Sequence, residues 1–127
     1  MHRSKLVAIA IDCEGGDLTA AGRFWGQALG RTAPDAPDAN SPTYLTLGTG
    51  KEALIAFCQR VDHPSRVHLD IETDDVEAEV RRLEKLGAKR VRQVRTWWVM
   101  EAPTGHRFCV VKPQRGELPA DANVWPD

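Results

Sequence analysis

His68, Asp70 and Glu72 stand at alternate positions of Arg66-Val67-His68-Leu69-Asp70-Ile71-Glu72. If that stretch is a strand, an imidazole and two carboxylates share one face. Such a set can move protons: His68 acts as general base and Asp70 or Glu72 orients its ring, which makes the three the catalytic candidates. Three other roles for His68 stay open at this point: a hydrogen bond to a bound ligand, ligation of a metal, and a satisfied histidine with no chemistry. The thiols offer a second chemistry. Cys58, Cys109 and His68 make a soft zinc-type set if both cysteines face the same side, against the bland reading of buried small residues. Trp97 and Trp98 are adjacent, so one points to each face of a strand; with Tyr44 and Cys109 they are the ligand-binding candidates, the rings stacking on a flat compound or packing in the core. His106 is read as an exposed turn residue, and Asp12 as a cap of the turn after its strand.

The elements that must position these residues follow from periodicity. Lys5 to Asp12 alternates as a strand, and Gly15-Gly16 breaks it. Asp17 caps a helix to about Leu29 with an apolar stripe of Leu18, Ala21, Phe24, Trp25, Ala28 and Leu29, and Gly30 stops it. Residues 32–42 hold one short edge strand at best and otherwise loop. Thr43–Leu47 and Ala53–Gln59 form a hairpin around Gly48-Thr49-Gly50, and 61–65 is a linker. Val67, Leu69 and Ile71 alternate with the polar set, and a second helix is capped by Asp74, with Glu77 in capping-box relation and a stripe of Val76, Val80, Leu83 and Leu86. After Gly87, strands are expected over Arg90–Arg95, Trp97–Glu101 and Arg107–Lys112. The tail from 114 to 127 is polar and docked by Trp125. Halves 5–60 and 66–113 repeat one β-α-β-β-β order, with Phe57-Cys58 opposite Phe108-Cys109. Two such modules predict an α+β fold whose curled mixed sheet surrounds one cleft, Val7, Ile9, Ile11, Val67, Leu69 and Ile71 facing the helices.

Composition bounds the class. The 127 residues form a single domain, 1–127, 42% hydrophobic and 28% charged. Seventeen basic and 18 acidic residues are mixed along the chain, so neither nucleic acid nor membrane is an expected partner. Three widely spaced cysteines, no leader pattern and no membrane-length apolar run predict a cytoplasmic protein with reduced thiols.

The residues Asp17 to Gly30, Val67-His68-Leu69-Asp70, Asp74-Asp75 to Ala88, and the turn Ala102-Pro103-Thr104-Gly105-His106-Arg107-Phe108-Cys109 resemble the vicinal oxygen chelate superfamily, the glyoxalase/bleomycin-resistance fold. The chain is most similar to its short bacterial glyoxalase-like domains over about residues 5 to 113. The resemblance implies one metal ligand from the first and last strand of each module. His68 matches one such position; Ala8 or Ala10 stands at another, Cys109 at a third, and Cys58 or Ala56 at the fourth. The family metal set is therefore incomplete, with His68, Cys109 and Cys58 as the candidates. No cofactor is expected, a divalent metal being the alternative, and true glyoxalase I activity is disfavoured. The leading expectation is a homodimeric protein binding a small aromatic or apolar molecule in the cleft. The alternatives are a lyase, isomerase or dioxygenase using His68 with a degenerate metal site or acid–base chemistry, and a protein-interaction scaffold.

Overall fold

The computed structural model describes residues 1–126. Its elements are β1 (His2–Glu14), α1 (Leu18–Leu29), β2 (Tyr44–Leu47), β3 (Ile55–Val61), β4 (Arg66–Thr73), α2 (Val76–Lys85), β5 (Lys89–Val94), β6 (Trp97–Glu101), β7 (Arg107–Val111) and β8 (Asn123–Trp125). The strands bond in the order β2-β3-β1-β4-β7-β6-β5, with β8 also on β1. Parallel and antiparallel pairs both occur, so the sheet is mixed and the class α+β, as expected. No helix among the described residues is long and apolar enough to cross a membrane. Two compact units divide the chain, residues 8–68 and residues 1–7 with 69 onward.

In the 8–68 unit, β3 runs parallel to β1 (Ile11 beside Cys58) and β2 is antiparallel to β3 (Leu45 beside Cys58). Ile11, Leu45, Leu47, Ala56 and Cys58 point to one face, where Leu18, Ala21 and Trp25 of α1 close over them. Asp17 caps α1 by accepting from the Thr19 N–H, and Gly30 ends it at φ 70. The predicted stripe was too wide: Phe24 is 62% exposed and Leu29 half exposed, and Gly22 and Gly26 take the close approach instead. Residues 32–43 form no strand, so this half has one strand fewer than its counterpart.

In the other unit, β7 pairs with β4 in parallel and with β6 antiparallel, and β5 pairs with β6. Val80, Met100, Phe108 and Val110 form the core, with Ile71, Val76, Leu83 and Trp98 against it. The cap of α2 is Asp75, bonded to the Ala78 N–H, one residue later than predicted. Asp74 instead accepts from the Arg3 N–H of β1, a partner distant in sequence. Leu86 lies past the helix end and is exposed, as are Val67 and Leu69, so β4 is covered by α2 only from Ile71 onward. The tail is docked as expected and adds a strand that its polar sequence concealed. Trp125 of β8 donates to Ser4 Oγ at 2.8 Å and lies 3.7 Å under the Arg82 guanidinium. Arg82 in turn grips the fully buried Glu79, which also bonds His2 at 2.8 Å. Burial pushes the Glu79 carboxyl up, but the hydrogen bonds from Arg82, His2 and Ser4 outweigh it and hold it below its ordinary range.

Candidate functional site

Strand alternation gives the 8–68 unit a second face, turned away from α1. Because Ile11 and Cys58 belong to the core, Asp12, Phe57 and Gln59 point the other way, and so do Tyr44 and Thr46. The pairing then aligns one polar row across the strands. Tyr44 of β2 stands beside Gln59 of β3, Gln59 beside Asp12 of β1, and Asp12 bonds His68 of β4. Gln59 Nε2 donates to Tyr44 Oη at 3.2 Å. The Tyr44 and Phe57 rings meet with centroids 5.7 Å apart, a tilted aromatic pair on the same face.

Asp12 is the centre of this row. Its side chain is 2% exposed, and its Oδ2 lies 2.7 Å from His68 Nδ1. An ionised carboxylate only accepts, so His68 turns its Nδ1–H toward Asp12. The same Oδ2 lies 3.8 Å from His63 Nε2. His63 Nδ1 is 2.9 Å from the Pro64 carbonyl and therefore donates to it. The other carboxylate oxygen, Oδ1, is buried with no hydrogen-bond partner among the described residues. Asp12 therefore caps no turn; it lies in the strand and orients the histidine.

Asp70 and Glu72, expected as orienting carboxylates, lie in the other unit, where they pair in register with Cys109 and Val111. Glu72 is buried, which pushes its carboxyl up; the Gln114 N–H and the Arg115 guanidinium only partly oppose this. Trp97, Val99 and Cys109 point away from α2, while Trp98 packs beneath it with Arg90 4.9 Å above its ring. Trp98 is thus a core residue rather than a ligand contact. Cys58 is fully buried on the α1 side; burial and the neighbouring Cys13 push its thiol up to about 12. Phe108, not Cys109, is the residue that faces the helix in the second unit. The two Phe-Cys pairs are therefore one residue out of phase: Cys58 faces its helix and Cys109 does not. The metal set that the fold family implies does not fit, because Ala8 and Ala10 carry no donor and Cys58 is turned into the core. His106, exposed in its turn, bonds Thr104.

Asp12, Gln59 and His63 were not among the predicted site residues. A signal existed for Asp12: an acid two residues after Ala10 on an apolar strand is a buried polar position awaiting a partner. Nothing in Val61-Asp62-His63-Pro64-Ser65 marks His63, since a linker has no period.

Comparison with known proteins supports the fold. The family model described as a glyoxalase-like domain matches residues 8–111. No curated protein matches the sequence. Among solved structures, a hypothetical protein from Bacillus halodurans is similar at TM-score 0.62 and 14% identity, covering 91% of this chain and 99% of that one. A protein described as an NAD-dependent benzaldehyde dehydrogenase from Legionella pneumophila reaches 0.60 at 11% identity, covering 84% and 98%. Methylmalonyl-CoA epimerase from Streptomyces coelicolor reaches 0.54 at 15%, covering 91% and 98%. At these identities the likeness is one of fold. With its two helices on a mixed, open sheet and a family match over most of its length, the chain belongs to the glyoxalase-like domain family of the vicinal oxygen chelate superfamily.

Proposed function

We propose that this chain binds a small, flat, apolar or aromatic molecule on the face of the 8–68 unit turned away from α1. The observation that carries the reading is the polar row Tyr44–Gln59–Asp12–His68 lying beside the Tyr44–Phe57 ring pair. The rings supply contact area at low entropic cost, and the row supplies directional hydrogen bonds for orientation. Binding is tested with the aromatic dye anilinonaphthalene sulfonate, followed by its fluorescence. Tyr44→Ala and His68→Ala should each weaken binding several-fold, about 1 kcal/mol or more. Equal affinity in wild type and both variants would contradict the reading.

A second reading is favoured by the Asp12–His68 contact. An imidazole oriented by a buried carboxylate is the pairing that acid–base enzymes use to move a proton. In that case Asp12 replaces Asp70 and Glu72 as the orienting group, and the reaction class is lyase or isomerase. On either reading we take the chain to be a cytoplasmic homodimer; light scattering at twice the chain mass supports the dimer, and a monomer contradicts it.

A further inference from the structure

The row on the 8–68 unit holds a carboxylate with capacity to spare. An ionised carboxylate accepts about four hydrogen bonds when fully satisfied. The equally buried Glu79 accepts from Arg82 on both oxygens and also from His2 and Ser4. Asp12, its side chain 2% exposed, accepts from His68 on Oδ2, and its Oδ1 has no partner among the described residues. Its other neighbour supplies no proton. His63 gives Nδ1–H to the Pro64 carbonyl at 2.9 Å, which leaves Nε2 of the neutral ring an acceptor, 3.8 Å from Oδ2. Among the described residues these two histidines are the ion-pair partners of Asp12, with no lysine or arginine beside it. A charged oxygen out of water and without a donor is costly, and a donor brought to it is correspondingly well rewarded.

We infer that the molecule held on this face carries a hydroxyl or N–H donor on the edge of its ring system, and that Asp12 Oδ1 accepts from it. The inference deepens the ligand reading above and rests on it. The register sets the size of the molecule. Ala10 pairs with Phe57, and Asp12 stands two residues further along β1 on the same face. Strands about 4.8 Å apart, with two residues covering about 6.6 Å, place Phe57 and Asp12 roughly 8 Å apart at the backbone. A fused two-ring system laid against the Tyr44–Phe57 pair covers that span and brings a substituent on its far edge to Asp12. There the donor makes a charge-assisted hydrogen bond, about twice as strong as a neutral one. The same rings with the donor methylated leave Oδ1 unpaired, and a site built around a buried acceptor rejects such an analogue. Oδ1 is closed to solvent, so the ligand reaches it by displacing a neighbouring side chain. His63, its side chain 31% exposed and held by a hydrogen bond to the adjacent residue, is the neighbour that gives way.

The test titrates the full chain with naphthol and, separately, with its methyl ether, the affinities being read by calorimetry near neutral pH. Naphthol is expected to bind the wild-type chain at least about tenfold more tightly than the ether. That preference should shrink in Asp12→Asn, which keeps the shape and loses the charge, and vanish in Asp12→Ala, while the affinity for the ether changes little. The wild-type comparison needs no variant to fold. Equal affinity for the two compounds would overturn the inference and leave the flat-ligand reading standing. Binding of neither compound would take both down together. A preference that survives in Asp12→Ala and is lost in His63→Ala would also overturn it, by placing the acceptor on His63 Nε2.

Discussion

Asp12 and Glu79 are both carboxylates buried against histidine, yet their surroundings give them different roles. Glu79 is satisfied on all sides by Arg82, His2 and Ser4, so its charge is native and its role is to hold β1 and α2 together. A carboxyl held below its ordinary pKa contributes stability that is present above that value and lost as pH falls through the lowered one. Glu79→Gln should therefore cost about 3 kcal/mol in urea unfolding near neutral pH, and less in acid. Glu72 has the opposite sign. Its raised pKa means its contribution is full below the ordinary value of about 4.3 and is lost as pH rises through the raised one. Glu72→Gln should leave stability unchanged or higher near neutral pH, and a large loss there would show that its charge is well paired. Cys58, pushed up to about 12 and fully buried, should resist an aromatic disulfide reagent until the chain is unfolded. Rapid labelling of Cys58 in the native chain would contradict its placement under α1. The identity of these chemical groups was legible in the sequence; their partners were not, since Asp12–His68 and His2–Glu79 join residues 56 and 77 positions apart.

At the scale of elements, the strands and helices followed their periodicity closely, and the errors have local causes. The polar set on β4 was read from alternation, and alternation also placed Trp97 and Trp98 on opposite faces, but not which of them was inside. That choice depends on α2 covering Trp98. Likewise the Phe57-Cys58 and Phe108-Cys109 pairs look equivalent in sequence and differ by one residue in facing, because a slip of one exchanges the two faces of a strand. The width of the α1 stripe was overestimated because glycine carries no hydrophobic signal. Gly22 and Gly26 are the buried contacts, and a Cβ on Gly26 would stand 2.8 Å from the Arg31 carbonyl oxygen. Gly26→Ala should thus destabilise the protein by about 1 to 3 kcal/mol in spite of alanine's better helix propensity, measured by thermal unfolding. A stabilised variant would mean that the α1 C-terminus is looser than its hydrogen bonds imply.

For the molecule as a whole, a family fold carries the Tyr44–Gln59–Asp12–His68 row on one face of its 8–68 unit. The two-helix, mixed-sheet frame was legible because each half repeats strand, helix and hairpin in order, and the match over residues 8–111 agrees with it. The working groups were only partly legible, since a long-range pairing across β1 and β4 creates the Asp12–His68 unit. That unit is common to the ligand reading and the acid–base reading, so it is the place to measure first. Nitrogen-15 NMR of the histidine rings in chelator-treated protein near neutral pH reports which nitrogen of His68 holds the proton. A proton on Nδ1 of His68, the preference disappearing in Asp12→Ala, is the expected result. A proton on Nε2 in the wild-type chain, unchanged in Asp12→Ala, would show that Asp12 does not orient His68 and would remove the basis of the site.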